Sequence, residues 1–158
     1  MNIEISQELF NKVISDLNRR HEFAFERVGY LMGTFDGETL VFDDWLSFDD
    51  EHYVNNDEVG ARIGPEGMSL LMKTVFKTKK NFFHTHIHDF QTIPMASFVD
   101  ERSWKEVNPA LYDFSDKSPH GGIIIGKKCT LIKYWKDNSA DDWDEIFIEK
   151  GCRPKEIK

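Results

Sequence analysis

Three histidines occupy alternate positions in the stretch Phe82-Phe83-His84-Thr85-His86-Ile87-His88. Alternate side chains of an extended strand point to the same side, so His84 and His86 are expected to project together from the end of a buried strand. Two neighbouring imidazoles supply two of the three protein ligands of a catalytic zinc site, which keeps a further position open for water. Asp100, in the downstream stretch Ser97-Phe98-Val99-Asp100, is the best candidate for the third ligand.

Each of these residues also has an ordinary structural interpretation. Histidines are common on protein surfaces, and Ser97 followed by Asp100 is typical of the start of a helix. Glu26 lies in an apolar segment that is expected to be a strand, where a charge is costly to bury without a partner. It therefore faces either solvent at a sheet edge or a cleft. The combination of the histidines, the aspartate and the upstream glutamate favours a metal site.

Length and charge limit the class of protein. The chain has 158 residues, which suits one domain, and a formal net charge of -8, which argues against binding to nucleic acid or to an anionic membrane. Cys129 and Cys152 lack the spacing of a disulfide framework or of a Cys-rich zinc site. With no secretory signal near the first residue, we expect a cytoplasmic protein with reduced thiols.

The first half of the chain alternates strand and helix patterns. Residues 2–5 are expected to form an edge strand, and Ser6 to cap a helix. Residues 23–35 and 38–48 read as two strands joined by the Asp36-Gly37 turn. An acidic loop follows over residues 49–64, with a possible short strand at 52–54, and Pro65 begins a second helix.

The second half contains the histidine strand, expected over residues 81–86, and then a helix capped by Ser97. That helix is expected to end near Glu106 because Asn108-Pro109 interrupts it. Residues 113–119 are expected to form a polar loop. Residues 123–126 and 129–135 predict a hairpin, and Trp143, Ile146 and Phe147 a short final helix that ends at Gly151. The fold class predicted is α/β (α+β), a mixed β-sheet flanked by helices.

The motifs together resemble the JAMM metalloproteases, the catalytic branch of the MPN domain family. Glu26-Arg27-Val28-Gly29-Tyr30-Leu31-Met32-Gly33 looks like the family's Glu-x-x-Gly-x-Leu-x-Gly opening. His84-Thr85-His86 with Ser97-Phe98-Val99-Asp100 resembles its His-x-His and Ser-x-x-Asp signature. The resemblance covers about residues 2–136. We take residues 1–136 as the domain and residues 137–158 as an extension that packs on it or is partly disordered.

The resemblance implies a curved sheet of the MPN/JAB, cytidine-deaminase-like fold and one Zn²⁺ per chain, held by His84, His86 and Asp100. It implies that Glu26 is the general base and acid, and that Ser97 helps to hold the tetrahedral intermediate. Glu22 is a weaker alternative base. The family hydrolyses isopeptide or peptide bonds, so the implied partner is a protein or peptide substrate, which includes the ubiquitin-like proteins.

The sequence departs from the family pattern in the spacing after the histidines. Ten residues separate His86 from Ser97, more than the family usually has, and Ile87 stands where the family usually has proline. A shifted register, with His86 and His88 as the ligand pair, leaves eight residues and stays open. His88 is otherwise an accessory or surface residue. Two other functions stay open: a non-catalytic MPN-type interaction module, and a zinc amidohydrolase acting on a small peptide conjugate.

Overall fold

A computed structural model describes residues 1–19, 26–54, 61–138 and 141–149. Within these ranges it contains a seven-stranded sheet, three α-helices and one turn of 3₁₀ helix. The strands are β1 (Asn2–Ile5), β2 (Gly29–Phe35), β3 (Thr39–Ser47), β4 (Asn81–Ile87), β5 (His120–Ile125), β6 (Cys129–Trp135) and β7 (Trp143–Glu149). The α-helices are α1 (Gln7–Leu17), α2 (Pro65–Thr78) and α3 (Phe98–Ser115), and the 3₁₀ helix spans Asp50–His52.

The sheet is mixed, as the sequence predicts. Its strand order is β1-β3-β2-β4-β5-β6-β7. β1 pairs with β3, and β4 with β5, in parallel, while the other neighbours are antiparallel. The two hairpins are confirmed as β2–β3 and β5–β6. Because parallel strands need a crossover connection, α3 runs from the end of β4 back to the start of β5.

Apolar clusters cover both faces of the sheet, and β4 contributes to each face by its alternation. Phe83 joins the cluster that contains Val13 of α1, whereas Phe82 joins the cluster that contains Leu71 of α2 and Leu111 of α3. His84 and His86 share the parity of Phe82. They therefore lie on the face covered by α2 and α3.

The predicted helix starts are confirmed. The Ser6 hydroxyl accepts a hydrogen bond from the Leu9 amide, and Pro65 is the first residue of α2. Ser97 and Asp100 form a capping box at the start of α3, in which each side chain bonds the other residue's backbone amide. None of the helices in the described part of the chain is long and apolar enough to cross a membrane.

The expectation that Glu26 lies inside a strand is wrong, because β2 begins only at Gly29. The segment before it is held by side chains instead of a neighbouring strand. The Tyr53 hydroxyl accepts a hydrogen bond from the Val28 amide and lies 3.0 Å from the Val28 carbonyl oxygen, to which it donates. Residues 23–25 of the predicted strand, and Glu22, lie outside the described residues.

The prediction that the third helix ends near Glu106 is also wrong. α3 continues through Pro109 to Ser115, and so includes the start of the predicted polar loop. Proline lacks the amide hydrogen that would bond one turn back, which costs about 3 kcal/mol or more inside a helix. Burial of Asn108, Leu111 and Ser115 on the sheet side of α3 offsets that cost.

Three further predictions differ from the structure. Trp143–Glu149 is not a helix but the edge strand β7, paired with β6, and Ile146 and Ile148 alternate onto the sheet's apolar cluster. Such a short apolar run fits both the helical and the strand periodicity, so its sequence alone does not distinguish a helix from a strand. The possible strand at 52–54 is a single bridge between Tyr53 and Ile63, and β5 starts earlier than expected, at His120. Gly151, the expected stop, lies outside the described residues.

Candidate metal centre

Two imidazoles and a carboxylate converge where β4 ends and α3 begins. The Nε2 atoms of His86 and His88 lie 3.0 Å apart. Asp100 Oδ1 is 3.3 Å from His86 Nε2, and Asp100 Oδ2 is 3.9 Å from His88 Nε2. His86 is fully buried and His88 nearly so. Three groups from two elements therefore point at one spot.

The spacing of these three groups suits a zinc ion. With Zn–N and Zn–O distances of about 2.0–2.2 Å, neighbouring ligand atoms of a tetrahedral site lie about 3.3–3.6 Å apart. The observed separations run from 3.0 to 3.9 Å, with Asp100 facing His86 through Oδ1 and His88 through Oδ2. Neutral imidazole and carboxylate are also ligand types that zinc accepts. His86, His88 and Asp100 fit the metal in both chemistry and distance.

Asp100 is oriented by the cap of α3. Its Oδ2 accepts hydrogen bonds from the Ser97 amide (2.8 Å) and the Ser97 hydroxyl (2.7 Å), while Oδ1 is the atom near His86. Burial by itself raises the pKa of the Asp100 carboxyl, but the interactions with His86 and Ser97 outweigh it and hold that pKa well below its usual range. The carboxylate is therefore ionised and ready to bind a cation.

His88 is fixed by groups on both sides. Its amide donates to the Ile125 carbonyl (3.0 Å), which continues the β4–β5 pairing by one residue. Its Nδ1 lies 2.9 Å from Gln91 Oε1, and because a carbonyl oxygen only accepts, Nδ1 carries the proton. The Nε2 lone pair then faces Asp100 and His86. Gln91 was missed from the sequence, where a glutamine in a loop carries no distinguishing signal.

Glu26 lies at the edge of this group. Its Oε2 is 4.0 Å from His86 Nε2, and the ligand atoms of Glu26, His86 and His88 all lie within 4.8 Å of one another. Glu26 is half-buried, as suits a group that reaches both the donors and solvent. A second carboxylate thus stands beside the two imidazoles.

The backbone next to Glu26 is anchored by Arg27 and Tyr53, neither of which the sequence singled out. The buried Arg27 guanidinium pairs with Asp50 (2.6 Å), donates to the Phe48 carbonyl (3.1 Å) and lies over the Tyr53 ring. Tyr53 in turn bonds both the amide and the carbonyl of Val28. These contacts fix the position of Glu26 without a strand.

His84 lies on the same face but has a different partner. Its Nδ1 accepts a hydrogen bond from Trp104 Nε1 (3.1 Å), and its ring borders a small cavity with Tyr30 and Leu111. Burial, then the neighbouring His86, lowers the pKa of His84 to about 3, against an opposing effect of Asp100. Trp104 needs Gly122 beneath it, since a Cβ there would lie 2.1 Å from the indole.

The structure thus brings together five of the six predicted site residues: Glu26, His86, His88, Ser97 and Asp100. It places the sixth, His84, against Trp104. Of the two histidine pairs that the spacing left open, the geometry favours His86 with His88 over the preferred pair of His84 with His86. The Ser97 hydroxyl proton is directed to Asp100, so its expected role toward a tetrahedral intermediate stays a prediction.

One buried atom of the group lacks a partner. His86 Nδ1 is shielded from solvent and makes no hydrogen bond to any described residue. Buried polar groups are nearly always paired. Two imidazoles and two carboxylates packed this closely are an arrangement whose cost a bound cation would reduce. A cation at His86 Nε2 would leave Nδ1 unpaired, so the support for a cation comes from the packed donors and not from Nδ1.

Exposed apolar side chains surround the group on the side of the loop between β4 and α3. We call the set of Phe90, Ile93, Met95, Phe98 and Val99 the apolar rim. Each is more than half exposed, and Phe98 is 81% exposed. The Phe90 ring stacks on the His88 imidazole, with 5.1 Å between their centroids. The loop is ordered by main-chain bonds from Lys127 and Lys128 to Gln91 and Thr92.

His52, His120 and Cys129, in the described part of the chain, are not among the residues that converge at the centre. His52 accepts a hydrogen bond from the Asp49 amide within the 3₁₀ turn, and His120 is buried where β5 begins. Cys129 is a buried free thiol on β6. His21 and Cys152 lie outside the described residues.

Comparison with known proteins supports the fold but assigns no activity. No protein-family model matches the chain, and no curated protein matches it either. Among solved structures it is similar to the solution structure of protein DSY2949 from Desulfitobacterium hafniense, with a TM-score of 0.55 and 17% sequence identity. The match covers 91% of this chain and 89% of the other. At that identity the likeness concerns the α/β fold alone.

Proposed function

We propose that this chain is a zinc-dependent hydrolase of peptide or isopeptide bonds, with an MPN/JAB-type fold, whose metal ligands are His86, His88 and Asp100. The observation that carries the proposal is the convergence of two imidazole Nε2 atoms and one carboxylate within 3.0–3.9 Å of one another. Three protein ligands, with a further position left for water, are the composition of a catalytic zinc site.

The bound zinc would supply a water whose pKa is lowered to about 7, and so a nucleophile at neutral pH. Glu26 is half-buried and lies 4.0 Å from His86 Nε2, and in this proposal it would take the proton from that water and pass it to the departing amine. Ser97 fixes the Asp100 carboxylate through the two hydrogen bonds at Oδ2. This set of residues supports a chemistry of amide hydrolysis by metal-activated water.

The apolar rim supports a polypeptide substrate. Contiguous exposed apolar side chains usually mark an interaction surface, and these flank both His88 and Asp100 along the chain. An extended segment with apolar side chains could lie across the rim with its scissile bond at the metal. Ubiquitin-like proteins, and peptides joined through a lysine side chain, are substrates of this kind.

The same rim also favours the second candidate, a non-catalytic interaction module of the MPN type. In that case the surface binds a partner and the histidine group has no role in turnover. A zinc amidohydrolase acting on a small peptide conjugate is the third candidate, and it makes no use of the rim. Turnover of polypeptide and small amides therefore separates the three.

Glu26→Gln tests the catalytic assignment. The substitution keeps the side-chain shape but removes the base, so we expect zinc to stay bound and the hydrolysis rate to fall by about 10²–10⁴-fold. The zinc-loaded chain would be incubated with a panel of linear peptides and a panel of lysine-linked branched peptides, with products read by mass spectrometry. Glu66→Gln, an exposed acid in the first turn of α2, is the matched control.

The outcomes separate the candidates. Cleavage of peptides or branched peptides by the wild type and the Glu66 variant, but not by the Glu26 variant, supports the proposal. Normal cleavage by the Glu26 variant would contradict the assignment of the base. If a zinc-loaded wild type cleaves neither panel, hydrolysis of a small peptide amide would favour the amidohydrolase, and no turnover of that amide would favour the interaction module.

A further inference from the structure

Lys133 of β6 is a lysine whose side chain is completely buried. Its Nζ lies 2.6 Å from Glu101 Oε1 in the first turn of α3 and 3.9 Å from Glu145 of β7. The Trp143 ring covers the ammonium at 3.3 Å from its centroid. The charge is therefore enclosed by two carboxylates and an aromatic face that come from α3 and β7.

Stability alone is a weak reason for such an arrangement. Desolvating an ammonium is expensive, and replacing a buried ion pair with apolar residues of similar volume is often neutral or stabilising. The ion pair of Lys133 and Glu101 is therefore better explained by the part of the structure that it holds in position. The carboxylate that Lys133 binds belongs to Glu101, the residue that directly follows Asp100.

The first two turns of α3 are joined to the sheet at three points. Asp100 reaches His86 on β4, Glu101 reaches Lys133 on β6, and Trp104 bonds His84 on β4. Of these three, the Lys133 contact is the one made to β6, two strands away from β4 in the sheet. It fixes how the helix end sits over the sheet, and with it the direction in which Asp100 points.

We propose that Lys133 is a positioning residue for the metal centre: by binding Glu101 beneath Trp143, it holds the first turn of α3 so that Asp100 faces His86 and His88. This inference rests on the proposed zinc site. It adds that β6 and β7, which contribute no ligand, set the affinity of the site for its metal.

The test compares zinc affinity, by competition with a chromophoric chelator, in Lys133→Met, Glu101→Gln and the double variant. Groups that orient metal ligands typically account for 10–100-fold in affinity, so we expect each single variant to bind zinc about tenfold more weakly. The double variant should be no weaker than either single one, because both changes break the same contact. Glu106→Gln removes an exposed ion pair with Arg102 on the same helix and should leave the affinity unchanged.

A second readout does not depend on zinc. In the metal-free protein, hydrogen exchange at the Ser97, Asp100 and Glu101 amides, which make the helix-start bonds, should be faster in Lys133→Met and Glu101→Gln than in the wild type or Glu106→Gln. Unchanged exchange at these amides would overturn the inference, as would wild-type zinc affinity in both single variants. A wild type that binds no zinc would instead contradict the proposed function, while the exchange measurement still decides the role of Lys133.

Discussion

At the scale of the residue, the candidate centre depends on which nitrogen of each imidazole carries the proton. His88 donates its Nδ1 proton to Gln91 Oε1 and so presents the Nε2 lone pair to the ligand group. His84 uses its Nδ1 as the acceptor for Trp104 and so keeps its proton on Nε2. Two histidines four residues apart on one strand end therefore differ because of partners far from them in sequence.

Gln91→Ala should weaken zinc binding by about 10–100-fold, because the glutamine fixes the tautomer and orientation of a ligand histidine. The measurement is chelator competition at neutral pH, with Thr92→Ala as the control, since Thr92 is the exposed neighbour in the same loop. Equal zinc affinity in the Gln91 variant and the wild type would show that His88 does not depend on this bond.

The sequence predicted most of the site's residues but not their pairing. Ser97 and Asp100 were identifiable because a capping box has a fixed local spacing, and the structure contains it. Whether His84 or His88 joins His86 in the ligand pair could not be decided from the residues nearby in sequence. The pairing follows from Trp104, one turn into α3, and from Gln91, in a loop whose path depends on main-chain bonds with Lys127 and Lys128.

At the scale of the element, the sequence predicted helix starts and turns correctly where the residues at that position determine the local structure. The caps of α1 and α3, Pro65 at the start of α2 and the β2–β3 turn agree with prediction. It was unreliable where packing overrides local preference. α3 continues through Pro109 because its inner face is buried, and β7 is a strand because β6 offers it an edge.

His120 joins two elements and should make stability depend on pH. Its Nδ1 accepts from the Phe82 amide of β4, and its Nε2 lies 2.9 Å from Ser115 Oγ of α3. The Ser115 hydroxyl donates to the Leu111 carbonyl and so accepts from the imidazole. Burial lowers the pKa of His120 to about 4, from an ordinary value of 6.5. The imidazole is therefore neutral in the folded protein at moderately acid pH.

Because the folded pKa lies below the unfolded one, the unfolded chain binds the proton first as pH falls. The stabilisation by neutral His120 is fully present above about pH 6.5 and is lost as the pH falls toward 4, by up to about 3 kcal/mol. Urea unfolding in EDTA would compare the wild type with His120→Asn. The difference between their free energies of unfolding should become smaller from pH 7 to pH 4.5. A difference that stays constant over that range would contradict the assignment.

At the scale of the whole molecule, the fold collects the site from distant parts of the chain. Glu26 precedes β2, His86 and His88 end β4, and Asp100 begins the crossover helix to β5. Ligands of α/β sheets commonly bind beyond the carboxyl ends of strands, and the candidate centre lies at such an end. The mixed sheet followed from the element pattern, whereas the order of its strands was not contained in any local signal.

The apolar rim belongs to a chain whose formal net charge is -8. The charge suits solubility, while the rim is a local exception, next to the metal donors, where an apolar segment could bind. This contrast is why the proposal favours a polypeptide substrate over a small amide.

The most direct test of the central claim is the zinc content of the purified wild type, measured by elemental analysis beside His88→Gln and His84→Gln. We predict about one zinc per chain in the wild type and in His84→Gln, and less than about a tenth of that in His88→Gln, because three protein ligands are needed to hold the ion. Zinc retained by the His88 variant and lost from the His84 variant would contradict the ligand set. A wild type without zinc, even after incubation with it, would contradict the metal centre itself.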